Sequence, residues 1–171
     1  MVRLLDANVL ITAHNLYYPI NRVPEFWEWL VHMGNTNRLK IPVEILEEIT
    51  EKSPIGQWLK EADNAASLRL DEDADPGLVQ TVIAAYAADL NDTEFIEIGR
   101  DPFLIAYAMA NRAERTIVTV EASKPKTQRA NRRISDVCND LRINWCDSFQ
   151  MLSVLNFTTS WRSALDGNGH D

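Results

Sequence analysis

Arg100 to Glu121 reads RDPFLIAYAMANRAERTIVTVE, an apolar helix–strand unit with an acid near its start and another at its end. Asp101 followed by Pro102 is a helix start: aspartate can cap free backbone N–H groups, and proline at the first helical position loses no hydrogen bond. From Phe103 to Ala110 every residue is apolar or tyrosine, so no face is left for water and the helix is expected to lie buried against a sheet. Asn111 to Arg115 is a polar break. Thr116 to Val120 is β-branched throughout and short, as a buried strand of a parallel sheet is, and it runs into Glu121 at its carboxyl end. Open α/β sheets bind ligands at that edge.

Working outward, Val2 to Leu5 forms a short apolar strand ending at Asp6, with Asn8 as a cap for a helix running to about Ala13. Asp6 thus stands where Glu121 stands, although capping alone also accounts for it. Pro24 opens a helix whose stripe is Phe26, Trp27, Leu30 and Val31; Trp29 falls off it. Tyr17, Tyr18, Trp27 and Trp29 are either core or base-stacking aromatics. Arg38 to Pro42 reads as a second strand and Val43 to Ile49 as a helix, with Val43, Ile45, Leu46 and Ile49 inward. Glu48 sits at the margin of that face, either reaching inside or pairing with Lys52, while Glu44 and Glu47 face solvent. Ile55 to Ala65 is a further helix, Ser67 to Leu70 a peripheral strand or extended link, and Leu78 to Leu90 a helix burying Val79, Val82, Ile83 and Tyr86. Ile134 to Cys138 begins a helix, Ile143 to Trp145 is a last strand, and Ser148 to Leu155 a last helix burying Phe149, Leu152 and Leu155. Residues 1–160 are expected to form one domain and 161–171 a flexible tail.

A chain of 171 residues, about half of them apolar, can bury a proper core. It holds no apolar run of the roughly 20 residues that span a bilayer, and Met1-Val2-Arg3 leads directly into a strand, so a cytoplasmic protein is expected. Cys138 and Cys146 lack zinc spacing and are read as buried thiols. The net charge of −8 is unevenly spread: residues 1–123 carry 10 basic and 20 acidic side chains, residues 124–171 carry 7 and 5. Lys124, Lys126, Arg129, Arg132 and Arg133 follow Glu121 without an intervening acid, a loop that either docks phosphates or is simply solvated. Asp136, beside it, either caps a helix or touches a metal.

Alternating strands and helices imply parallel βαβ units, and right-handed crossovers bring the strand ends to one edge. Asp6, Asp101 and Glu121 fall there, with Glu48 on a helix that leans over it. Four converging carboxylates repel one another, and a divalent ion resolves the conflict. Oxygen donors without a Cys/His set favour Mg²⁺ or Mn²⁺ over zinc. Two such ions about 4 Å apart serve in-line phosphodiester hydrolysis. A small-molecule or phosphoacceptor domain of flavodoxin type is the rival, but no glycine-rich phosphate loop supports it among only six glycines.

Four segments, LLDANVLI (4–11), IPVEILEEI (41–49), DPFLIAYA (101–108) and IVTVE (117–121), together resemble the PIN-domain family, including the VapC-like toxins of bacterial and archaeal toxin–antitoxin operons. The resemblance spans nearly the whole chain. It implies a flavodoxin-like three-layer α/β/α sandwich with a central parallel sheet, and a Mg²⁺- or Mn²⁺-dependent ribonuclease. Asp6, Glu48 and Asp101 would be its principal acids and metal ligands, Glu121 the fourth where the family more often has aspartate, and Asn8 and Thr119 its supports. An RNA substrate, a co-encoded antitoxin protein and a homodimer are the partners it implies. A PIN module that binds RNA or protein with little or no catalysis is the alternative.

Overall fold

The computed structural model describes residues 1–61 and 63–166. Its strands are β1 (Val2–Leu5), β2 (Leu39–Lys40), β3 (Arg115–Val118) and β4 (Trp145–Cys146), all parallel in the order β2-β1-β3-β4. Between them run α1 (Ala7–Thr12), α2 (Pro24–Asn35), α3 (Val43–Leu46), α4 (Pro54–Lys60), α5 (Asn64–Leu68), α6 (Pro76–Tyr86), α7 (Asp92–Ile98), α8 (Asp101–Ala110) and α9 (Ile134–Leu141), and α10 (Ser148–Val154) and α11 (Trp161–Asp166) follow. The expected α/β class is what the chain adopts: a parallel sheet flanked by helices, consistent with a three-layer α/β/α sandwich. The chain leaves β1 for β2 on one side and reaches β3 and β4 on the other, so the strand order reverses between β1 and β3. Such a reversal opens a crevice beyond the carboxyl ends of the two strands.

The ends of β1 and β3 are fixed by backbone bonds that outlast the strands. Asp6 N–H donates to Val118 O at 3.0 Å, and Thr119 N–H to Cys146 O at 3.2 Å, so both residues remain in register just past the sheet. Helix α8 packs on α6 and β3, and its Leu104, Ile105 and Ala108 are fully buried. A helix apolar on every side has no face to offer water, which is why α8 lies inside and brings its first residue to the crevice.

Several elements differ from their sequence reading. Trp29 is 1% exposed because the chain returns over α2: Phe157 lies 4.8 Å from its ring. Trp27 is equally buried, so neither indole is free to stack a base. The third helix stops at Leu46, leaving Val43 exposed and Glu48 in the turn beyond it. Of the segment Ser67 to Leu70, Ser67 and Leu68 end helix α5 while Arg69 is extended and bridges Ile41 in parallel, and α5 sits so close to α2 that a Cβ on Gly34 would meet Ser67 O at 2.6 Å. The helix read to Leu90 ends at Tyr86, and a separate α7 follows, capped reciprocally by Asn91 and Glu94. Phe149 points outward from α10, and Cys146 is only half-buried. Trp161 Nε1 donates to Glu25 O at 2.9 Å, so α11 docks on α2 where a flexible tail was expected. His170, with the rest of 167–171, lies outside the described residues. No helix among the described residues is long and apolar enough to cross a membrane.

Candidate functional site

Asp6 ends β1 and is also the N-cap of α1, so the two readings of this residue are both realised. Asn8 N–H donates to its Oδ1 at 3.3 Å, which places Asn8 inside the helix and not at its cap. The other oxygen, Oδ2, accepts from Thr119 Oγ1 at 3.1 Å. Thr119 is fully buried and its hydroxyl also accepts from Glu121 N–H at 3.2 Å. One threonine therefore ties the end of β3 to the carboxylate at the end of β1.

Asp101 is the first residue of α8, with Arg100 at the cap position and no side-chain cap bond. Its carboxylate does not serve the helix as expected. It faces Tyr86, whose hydroxyl is 3.5 Å from Oδ2, a long contact for an O–H donor. Helical spacing makes Tyr86 a core residue, and its position at the last turn of α6 also puts the phenol beside Asp101.

Glu48 reaches the same place from the rim. Arg100 N–H donates to Glu48 Oε1 at 3.1 Å, and the chain makes that approach through Gly99 at φ +51°, where a Cβ would stand 3.2 Å from Oε1. A left-handed residue with a carboxylate against it is a position that glycine suits. The alternative pairing of Glu48 with Lys52 is absent from the described contacts.

Burial pushes the Asp6 carboxyl up to about 6; Glu121 and Glu48 add to the rise, and the Asn8 N–H and Thr119 hydroxyl oppose it. Asp101 is driven well above the ordinary carboxylate range by burial, then by Asp6, Glu121 and Glu48, against the Tyr86 hydroxyl. Desolvation also raises Glu48, opposed by Arg100. The charges of Glu48 and Glu121 thus act on both Asp6 and Asp101, and that of Asp6 on Asp101. Among the described residues neither Asp6 nor Asp101 has a cationic partner.

Glu121 is different. Arg133 Nη1 donates to its Oε1 at 3.1 Å and Ile134 N–H to its Oε2 at 2.9 Å, so both oxygens are engaged. Asp136 is the third residue of α9, not its cap. It holds the preceding loop instead, accepting from Ser123 Oγ and, at 2.8 Å, from Lys124 N–H.

The basic loop is largely spoken for. Arg129 pairs with Glu94 and Asp89. Arg132 donates to Ala85 O at 2.6 Å and pairs with Asp140. Lys124 and Lys126 are exposed, with no side-chain ion pair among the described residues.

Among the described residues no three Asp, Glu, His or Cys side chains form a ready-made cation cage. The donor set nevertheless fits a hard divalent ion of the magnesium kind, which is commonly held by one or two carboxylates together with waters and substrate phosphate. Asp6, buried, and Asp101, half-buried, are two carboxylate donors whose mutual repulsion a cation would relieve.

No curated protein and no solved structure matches this chain. A family model described as a domain of unknown function, DUF4411, matches residues 4–159, and the chain belongs to that family.

Proposed function

We propose that this protein is a divalent-metal-dependent endoribonuclease of PIN type, and that the crevice between β1 and β3 is its active site. The observation that carries the reading is the pair of carboxylates without a cationic partner among the described residues, the buried Asp6 at the end of β1 and the half-buried Asp101 at the start of α8, in a parallel sheet whose order reverses there. Unpaired buried acids cost a fold stability, and enzymes concentrate such groups where chemistry needs them.

Asp6, Asp101 and, from the rim, Glu48 would hold Mg²⁺ or Mn²⁺, with Glu121, held by Arg133 and the Ile134 N–H, as a fourth acid beside them. When bound, the ion supplies Lewis acidity and positive charge at a phosphodiester and lowers the pKa of water. The chain's own part is to fix that geometry. Thr119 orients Asp6, the Arg100 N–H orients Glu48, and Arg133 places Glu121. Lys124 and Lys126 stand on the loop beyond Glu121, where exposed cations guide an RNA backbone.

By the same resemblance the protein acts in the cytoplasm as the toxin of a toxin–antitoxin pair, as a homodimer restrained by a co-encoded protein that covers the acidic crevice. The PIN module that binds without cutting is favoured by one observation, the full engagement of Glu121 by Arg133 and Ile134.

The deciding experiment is cleavage of a structured RNA and a tRNA pool by the purified protein with Mg²⁺, Mn²⁺ or EDTA, alongside Asp101→Asn. Cleavage that needs the metal and is lost in the variant is the expected result. Metal binding with no cleavage of either RNA gives the non-catalytic module its case; absence of both removes the nuclease reading.

A further inference from the structure

Beside the acidic crevice lies a groove of about 360 Å³ between α1 and its continuation to Tyr17 on one side and α10 on the other. Its walls are mostly apolar and aromatic. Tyr17 and Phe149 stand at the mouth, 48% and 58% exposed, with ring centroids 5.3 Å apart and planes at 78°. Trp145, from β4, lies along the wall, its Nε1 turned away to Asn139 at 2.9 Å. Two large aromatic rings left open to water at the mouth of an apolar groove form an exposed patch of the kind that marks a binding groove.

We propose that this groove receives one unstacked base of a single-stranded RNA whose neighbouring phosphate lies at the acidic crevice. The inference rests on the ribonuclease reading and adds to it a substrate class and a base-binding site. Three observations favour a base over other occupants. The volume is at the low end of small-molecule sites, roughly 300–1,000 Å³, and suits a single planar ring system. The lining carries aromatic rings at the entrance and one hydroxyl, Ser148 Oγ, that is buried without a partner among the described residues. Proteins that read single strands splay bases onto aromatic side chains and hydrogen-bond their edges in this way.

The third is continuity along one short loop. Val120 and Ala122 line the groove, Glu121 between them borders both groove and crevice, and Lys124 and Lys126 follow in solvent. Base, scissile phosphate and flanking phosphates would be met in chain order over seven residues. An apolar slot bordered by free lysines matches a nucleotide, whose base is flat and whose backbone is anionic.

The test measures binding of a seven-nucleotide RNA, and of the same backbone with every base removed, to the full chain in EDTA, where metal-dependent cleavage cannot interfere. The intact strand is expected to bind about tenfold or more tightly than the abasic one. Phe149→Ala, at an exposed position that does not threaten the core, should erase most of that difference, and Phe149→Trp should retain it. Equal binding of the two strands overturns the proposal, as does a Phe149→Ala protein that keeps the preference. A shift in oligomeric state by light scattering on Phe149→Ala, with the base preference unchanged, assigns the groove to a second copy and also overturns it. The two readings fail separately: base-dependent binding without metal-dependent cleavage sinks the nuclease and leaves the pocket, whereas cleavage without base preference does the reverse.

Discussion

The acidic crevice and the basic loop are both built from charged side chains, of opposite sign, yet their charges are treated in opposite ways. In the loop, Arg129 is gripped by Glu94 and Asp89, strongly enough to hold the Glu94 carboxyl down to about 2. Arg132 is likewise shared between Asp140 and a backbone carbonyl. In the crevice, the buried Asp6 and the half-buried Asp101 have, among the described residues, only one another, two further acids and a few hydroxyl or N–H donors around them. A charge that is answered within the chain holds the fold together. A charge left unanswered in the interior weakens the fold and waits for something from outside.

The sharpest way to break this contrast is to remove an unanswered charge. Asp101→Asn is expected to lower metal-dependent RNA cleavage by at least about a thousandfold, or roughly 4 kcal/mol of barrier. The same substitution should raise the melting temperature of the metal-free protein at pH 7.5, since asparagine keeps the shape and discards the repulsion. A variant that loses cleavage and also loses stability would mean that Asp101 is a structural acid.

The second expectation concerns pH. Asp6 holds its proton to about pH 6 in the folded chain and to about 4 when unfolded, and Asp101 is shifted the same way. Between those values the folded state binds more protons, so stability falls as pH rises through the window. The contribution of Asp6 alone is on the order of 3 kcal/mol, fully lost above about pH 6. Denaturant titrations in EDTA from pH 4 to pH 8 should therefore show a decline attributable to the crevice. It should flatten in Asp6→Asn and be offset by millimolar Mg²⁺ in the wild type. A profile that climbs across this range would contradict it.

Thr119→Val sharpens the same comparison from inside the crevice. Valine keeps the volume of the fully buried side chain but removes the hydroxyl that donates to Asp6 and accepts from Glu121 N–H. Two buried partners are left wanting, for a loss of about 1–3 kcal/mol in chemical denaturation. Because Asp6 also loses a donor, its titration should move further up.

What the sequence disclosed follows the same division between local and distant causes. Asp6 and Asp101 were legible because a strand running into an acid and an Asp-Pro helix start are local signals, and parallel topology does the rest. Glu48 was found for a partly mistaken reason: its helix ends at Leu46, and Gly99 brings Arg100 to it from 52 positions away. Helix α7 carries a local signal of its own, the N-x-x-E pattern of Asn91 and Glu94, inside a stretch whose apolar spacing reads as one longer helix with α6. Trp29 could not be placed by periodicity, because α2 is covered on a second side by Phe157 from the far end of the chain. The partners of Arg129 and Arg132 lie 35 and more residues away or on the next helix, and nothing in the loop's composition reveals them. Composition counts five cations; among the described residues, tertiary structure leaves two of them, Lys124 and Lys126, without an ion pair.

That difference makes the smallest and most specific prediction. Each lysine that neutralises one phosphate of a single strand contributes about 0.7 to the slope of log affinity against log salt. Lys124→Ala and Lys126→Ala, measured on the same short RNA in EDTA across a range of KCl, should each reduce the slope by about that amount and weaken binding modestly. Arg129→Ala should leave the slope nearly unchanged, because its charge is already spent on Glu94 and Asp89. Its cost should appear instead as a small loss of stability, since ion pairs this exposed to solvent are screened. If Arg129→Ala changes the slope as much as the lysines do, the pairs open when RNA arrives and the loop is a reserve of charge. If none of the three changes it, the loop is scaffold and the strand follows another path to the crevice.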